Sequence, residues 1–406
     1  MTIVQPLLGL IIFFVMGYIL SESRKNINWR QLIASLLLQV VLVLLILKTT
    51  SGIKAFLFVG KLFHKVQMAY DVGVTFVFGD FTKYPMLPPI SLGLKILPMI
   101  IFVSAISAVL YHYRILQLVI KAFALLFRKV IGMSGVEALV VSANIFMGMA
   151  EAPVLVSPCI KNMTRAQLFM MMVGGMATIS GSLMLAYAMQ ISSLLGGVSQ
   201  ASAHLLSASV ISAPAAFLLA RLFVPEMDVD TAGTTLQAPT TEGFFDALVQ
   251  GALVGIKVVA YVAAILMVIV GLVNLFDQLL SYFFGAGVTL SYLLGILLKY
   301  PTWLLGICWE DCEKAGQLLG AKVILNEFIA YNTMGKMTFF DMQRTPLILS
   351  YAMCGFANLG STGIVVASLS GLCPERRTEI ANLGLKSMWV GFMAICMTGM
   401  VVAILF

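Results

Sequence analysis

The chain has 406 residues, 60% of them hydrophobic and only 11% charged, with a mean hydropathy of +1.01. That composition lies outside the range of soluble globular domains and identifies a polytopic membrane protein. The net charge of +7 comes from basic residues gathered in short loops between apolar runs, so it does not indicate a nucleic-acid partner.

A bilayer core of about 30 Å needs roughly 20 apolar residues per helical span. Charge-poor runs of that order predict about eight transmembrane helices, at 2–20, 31–47, 96–113, 168–195, 204–220, 258–276, 345–374 and 387–406. The first run has no basic flank before it and no small-residue cleavage site, so it reads as a retained helix. Arg24, Lys25 and Arg30 after it favour a cytoplasmic first loop, but Lys48, Lys54, Lys61 and Lys65 follow the second span and oppose a simple charge rule. Residues 51–79 mix Phe and Val with spaced lysines, as an amphipathic interfacial helix would.

Next come two segments of another kind. Residues 134–160 form an apolar stretch broken by Asn144, Gly148, Glu151, Pro153 and Pro158, and the following span contains the polar run Thr178–Ser182, TISGS. After a polar, aperiodic stretch at 228–242 the arrangement recurs. Residues 301–331 are interrupted and carry Asn326 and Glu327, and the next span contains FANLGSTG with Phe356, Asn358 and Ser361. Each half thus pairs a re-entrant hairpin with a broken helix. Unwound backbone at membrane depth survives only inside protein or beside a wet cavity, and paired interruptions in two halves mark the binding site of a secondary transporter.

A carboxylate at the bilayer centre costs about 2.5–3.5 kcal/mol, so Glu151 and Glu327 need partners. A capping or other structural role is the ordinary alternative for each, but both occur in matching hairpins. Asn358 and Ser361 offer an amide and a hydroxyl for vicinal hydroxyls, against simple interhelical hydrogen bonding. Thr178 with Asn144 offers oxygen ligands for a hard cation, although a helical threonine more often bonds its own backbone. Cys308 and Cys312 stand beside Glu310 and Asp311 with no histidine near, which favours ordinary buried thiols over a metal site or disulfide. The three histidines are scattered and no HExxH is present, which disfavours an intramembrane enzyme. A channel is disfavoured by two re-entrant gates around a polar centre.

The stretches NIFMGMAEAP, ATISGS, GICWED, LLGAKVILNEFIAY and SYAMCGFANLGSTGI, in this order, resemble the concentrative nucleoside transporter family over roughly residues 80–400. The resemblance implies an all-α fold with eight transmembrane helices, two re-entrant hairpins and broken helices in inverted repeats, assembled as a homotrimer in the bacterial inner membrane. It implies a scaffold mainly in 1–130, a first transport half at 131–227, an exposed loop at 228–243, a scaffold long helix and connector at 244–300, and a second transport half at 301–406. By motif, Glu327, Asn358 and Ser361 would hold ribose hydroxyls, with Phe356 lining the pocket. Gly148, Met149, Ala150 and Glu151 would face the nucleobase over Leu183. Asn144 and Thr178 side chains with Met147 and Ile179 carbonyls would hold sodium as the coupling ion, and no other cofactor is implied. Proton coupling, or another nucleoside-like solute, stays open as an alternative. Where the family has Gly-Gln-Thr-Glu or Gly-Gln-Ser-Glu, this chain reads Gly148-Met149-Ala150-Glu151, so a uridine preference does not carry over.

Overall fold

The computed structural model describes residues 3–79, 92–227, 241–285 and 288–406. Its described elements are helices and turns. Helix α1 (Val4–Ile19) is followed by α2 (Trp29–Val43), whose first turn is capped by Asn28 Oδ1 accepting from the Gln31 N–H, and which runs on as a π-helical turn to Lys48. The segment 51–79, expected to lie in the interface, forms one helix, α3 (Thr50–Phe78).

Helices α4 (Met99–His112) and α5 (Ile115–Ile131) meet at a bend of 78°. Arg114 absorbs that bend with φ of 61°, the only positive φ outside glycine among the described residues. No glycine or proline marks the site, so the sequence reading missed both the bend and α5.

The first hairpin descends as α6 (Gly135–Asn144), opened by a reciprocal Ser134–Glu137 capping box. It turns at residues 145–151 and returns through Ala152–Val156 and Ser157–Ile160. A second capping box, Thr164 with Gln167, starts α7 (Arg165–Met176), and Ser180 caps α8 (Gly181–Ile191) after the break. Then follow α9 (Val198–Phe223), the 41-residue α10 (Phe244–Phe284) and α11 (Leu290–Trp303). The expected span 258–276 is only the middle of α10, and residues 228–240 of the expected loop lie outside the described residues.

The second hairpin has arms α12 (Cys312–Ile324) and α13 (Glu327–Met334), parted at Leu325 and Asn326. It therefore begins later than residue 301, because Pro301 lies inside the last turn of α11 instead of opening the hairpin. A further broken pair, α14 (Arg344–Ala352) and α15 (Leu359–Leu372), precedes the last helix, α16 (Arg377–Leu405). Both breaks appear where TISGS and FANLGS predict them.

Burial sorts these helices into layers. The apolar window of α9 is 100% buried and that of α7–α8 is 94% buried, whereas that of α10 is only 17% buried. The broken helix α7–α8 and α14 of the last broken span pack on α9 together with α2, α3 and α16, and α10 lies outside them with an apolar face uncovered among the described residues. Outside the apolar layer, Glu22 in the α1–α2 loop accepts from Arg165 Nε at 3.0 Å and from Lys386 Nζ at 2.8 Å, tying α1 to α7 and α16. Arg376 donates to the carbonyls of Ile160 and Met163 at 3.0 and 2.6 Å, which anchors the return of the first hairpin.

Candidate functional site

The Asn-Glu pair opening α13 places a carboxylate at a helix N-terminus. Asn326 Oδ1 accepts from the Ile329 N–H at 3.0 Å, and Glu327 sits in the first turn, where the helix dipole favours negative charge. Glu327 is 4% exposed and is held from two sides: the Tyr187 hydroxyl donates to Oε1 at 2.8 Å and Asn358 Nδ2 donates to Oε2 at 2.8 Å. Asn358 also caps α15, its Oδ1 accepting from the Ser361 N–H at 2.7 Å. One side chain thus ends the break in the last broken span and fixes the hairpin carboxylate across from it.

A fully buried ammonium completes this half. Lys322 Nζ donates to the Ala357 carbonyl at 2.7 Å, inside the unwound stretch between α14 and α15, and lies 5.3 Å from the Phe392 ring centroid. Lys322 thereby satisfies a carbonyl that the helix break releases and brings positive charge to the half that holds Glu327.

The first hairpin is built more loosely. Glu151 accepts from the Gly148 N–H at 3.2 Å and makes no side-chain cap for the turn that follows it. Beside it the Asn144 carboxamide is 1% exposed, and neither its Oδ1 nor its Nδ2 has a hydrogen-bond partner. Such an orphan costs about 1–3 kcal/mol, so a ligand that takes its oxygen is favoured there. Thr178 Oγ1 donates to the Gly174 carbonyl at 2.9 Å, the back-bond common to helical threonine, and its lone pairs remain free to accept. Cys308 donates to Asp311 Oδ2 at 3.2 Å and Cys312 to the Cys308 carbonyl at 3.2 Å.

A cavity of about 330 Å³ joins the two halves. Its wall contains Gly148, Met149, Ala150 and Glu151 from the first hairpin, Leu183 from α8, Glu327 from the second hairpin, and Phe356, Asn358 and Ser361 from the last broken span. The structure therefore brings all nine residues singled out for the solute to one enclosure. Asn144, Met147, Thr178 and Ile179 flank the first hairpin's turn and the α7–α8 break without lining this cavity.

Further side chains were missed. Asn326, Ser180 and Ser182 line the same cavity, and α10 supplies Lys257, Val258 and Tyr261. Tyr187 and Lys322 support Glu327 from behind. Lys322 was visible as a lone cation in the run LLGAKVILNEF, one helical turn and a little more before Glu327; Tyr187 carried no signal, being one aromatic in an apolar span.

Three family models match in chain order: the N-terminus of the Na+ dependent nucleoside transporters over residues 8–81, a nucleoside-recognition gate model over 93–194, and the C-terminus of the same transporters over 204–403. The chain belongs to the Na+ dependent nucleoside transporter family. It is 35% identical over 405 residues to the uncharacterized transporter YutK of Bacillus subtilis, covering 97% of each chain. It is 32% identical to the putative nucleoside permease NupX of Escherichia coli over 96% of this chain and 95% of that one. Against the sodium/nucleoside cotransporter 1 of Rattus norvegicus it is 31% identical, over 98% of this chain and 63% of the longer rat protein.

Among solved structures, CNTnw in an inward-facing substrate-bound state superposes with a TM-score of 0.91 at 32% identity, covering 100% of this chain and 99% of that chain. A variant of CNTnw in an outward-facing state gives 0.89 at 32% identity, covering 100% and 98%. As a member of this family the chain is a multi-pass membrane transporter and not an enzyme.

Proposed function

We propose that this protein imports nucleosides across the bacterial inner membrane, driven by sodium. The observation that carries the reading is the single cavity walled by both hairpins and both broken helices, with Glu327 and Asn358 already bonded to each other at 2.8 Å. A carboxylate and a carboxamide held rigidly side by side suit the two vicinal hydroxyls of a ribose, and Ser361 adds a third polar group. The base then lies toward Met149, Ala150 and Leu183, with Glu151 as its polar contact. A wall of this kind discriminates bases by shape more than by hydrogen bonds, which favours a nucleoside other than uridine or a broad range of bases.

Sodium fits the first hairpin because the Asn144 carboxamide is buried without a partner and Thr178 keeps free lone pairs beside a helix break. Carbonyls of Met147 and Ile179 complete the proposed oxygen set. Each sodium ion moving down 100 mV supplies about 2.3 kcal/mol, enough for roughly fifty-fold accumulation of a neutral solute at one ion per solute.

In this reading residues 131–227 and 301–406 form the moving part, and 1–130 with 244–300 form the scaffold. The sparsely covered face of α10 supports contact with lipid or with other copies in a homotrimer, where an apolar surface of that extent is hidden. The test is uptake of labelled nucleoside into proteoliposomes with either a sodium or a proton gradient imposed alone. Accumulation with sodium only is expected; accumulation with protons only refutes the coupling, and none with either refutes the transport.

A further inference from the structure

Beside the solute cavity lies a second one of about 310 Å³, within the range of small-molecule sites. The two share Glu151, Val154, Ser182 and Val254 in their walls. They are therefore neighbouring chambers, divided only by side chains of the first hairpin, α8 and α10.

The second chamber is bounded by α4, where Ser104, Ser107 and Tyr111 recur at intervals of three and four and so face one way. Across from them stands Gln250 of α10. Behind, the wall is shut: a Cβ added at Gly251 would lie 2.6 Å from Ala108 Cβ, and one at Gly255 would lie 2.5 Å from Ile101 Cα, so α4 and α10 touch along this line. Toward one end the chamber reaches Tyr111 and Thr241, where His112 Nδ1 and Thr241 Oγ1 are 2.7 Å apart, at the last turn of α4 and just before α10 begins. This end adjoins the start of the first hairpin, since α5, turned 78° from α4, leads from there to the hairpin's opening residue Ser134.

Hydroxyls and a carboxamide in a helix wall at this depth have a physical use where polar solute or water passes. We infer that the second chamber is a transit site, where a nucleoside pauses between the central cavity and the side of the membrane at which the first hairpin starts. The inference rests on the nucleoside reading above. Glu151 borders both chambers and stays with the base during the passage, while Val154 and Val254 form the sill between them. Apart from the shared Glu151, the transit site offers neutral partners in place of the Glu327–Asn358 pair, so it binds more weakly and lets the solute go.

The test introduces Ser107→Cys together with Cys308→Ser, the other five cysteines being buried, and reacts the protein with a bulky maleimide. Adenosine and uridine serve as probes. Labelling is expected to slow nucleoside exchange in proteoliposomes about tenfold or more while equilibrium binding in detergent changes less than about twofold. A second variant, Gln250→Leu, is expected to slow exchange with the same binding. Full exchange by the labelled protein and by Gln250→Leu overturns the transit site and leaves the central site standing. Absence of binding and uptake of either probe in the unmodified protein overturns both.

Discussion

Glu327 of the second hairpin is gripped by two side chains, the Tyr187 hydroxyl and the Asn358 carboxamide, each at 2.8 Å, with the buried Lys322 ammonium close behind. Glu151 of the first hairpin accepts one backbone N–H at 3.2 Å and borders two cavities. The same residue type in matching hairpins is thus rigid on one side and loosely held on the other. A preorganised carboxylate suits the invariant part of a nucleoside, the ribose, because its geometry needs no adjustment from one solute to the next. A loosely held one suits the variable part, the base, and leaves room to follow it.

The largest effect that can break this comparison is expected from Glu327→Gln. The carboxylate accepts from Tyr187 and Asn358 at once, whereas an amide has one acceptor and turns an NH2 toward the other donor. With charge-assisted bonds contributing about 1.5–3 kcal/mol each, uptake should fall below detection while the purified protein keeps its helical content and a cooperative melting transition at a lower temperature. Near-normal uptake at unchanged affinity would remove Glu327 from the site.

Next in size comes Lys322→Met, which leaves the Ala357 carbonyl without its donor inside the α14–α15 break. An unmatched buried acceptor costs about 1–3 kcal/mol, so nucleoside affinity should drop between roughly fivefold and a hundredfold. Calorimetric titration of nucleoside into the purified variant measures it; unchanged affinity would make Lys322 a bystander.

A smaller shift is expected from Met149→Gln combined with Ala150→Thr, which restores polar groups to the loosely built side. Competition of labelled uptake by a panel of nucleosides should move toward uridine, by a factor that ~1–2 kcal/mol of recovered hydrogen bonding sets. Strict uridine selectivity before the change would contradict the shape-reading wall.

The smallest effect belongs to the loop anchor. The Arg165 side chain bonded to Glu22 pulls its carboxyl down to about 2 from an ordinary 4.5. A depressed carboxylate contributes stability above its unfolded pKa and loses it as pH falls through the folded one, so the contribution is intact above about pH 4.5 and fades toward pH 2. Solvent screens this partly exposed cluster, and Glu22→Gln should cost about 1 kcal/mol or less at neutral pH. A thermal-melt comparison at pH 7 and pH 3 checks the sign, the gap between the two proteins narrowing at the lower pH.

The pattern of what was legible in the sequence follows from the same physics. Polar atoms stranded in apolar runs announce themselves, so Asn358, Glu327, Thr178 and Glu151 were readable, and each stands at a break or a hairpin tip. Partners that meet only in three dimensions were not. Tyr187 reaches Glu327 from 140 positions away, and no local spacing encodes that contact. The extent of α10 was hidden because Asp246 and Lys257 before the window and Asp277 after it cut the apolar run to 258–276. The turn between α4 and α5 was hidden because a left-handed arginine, Arg114, makes it where glycine is the usual signal.

The central claim is that the Glu327–Asn358 pair reads the ribose. Binding of a nucleoside and of its 2′,3′-dideoxy analogue to the purified protein in sodium, measured by titration calorimetry, tests it most directly. The account predicts that loss of both hydroxyls weakens binding at least about thirtyfold, as one charge-assisted bond to Glu327 and one neutral bond to Asn358 require, and that Glu327→Gln closes most of the gap between the two ligands. Equal affinity for nucleoside and dideoxynucleoside in the unmodified protein would contradict it.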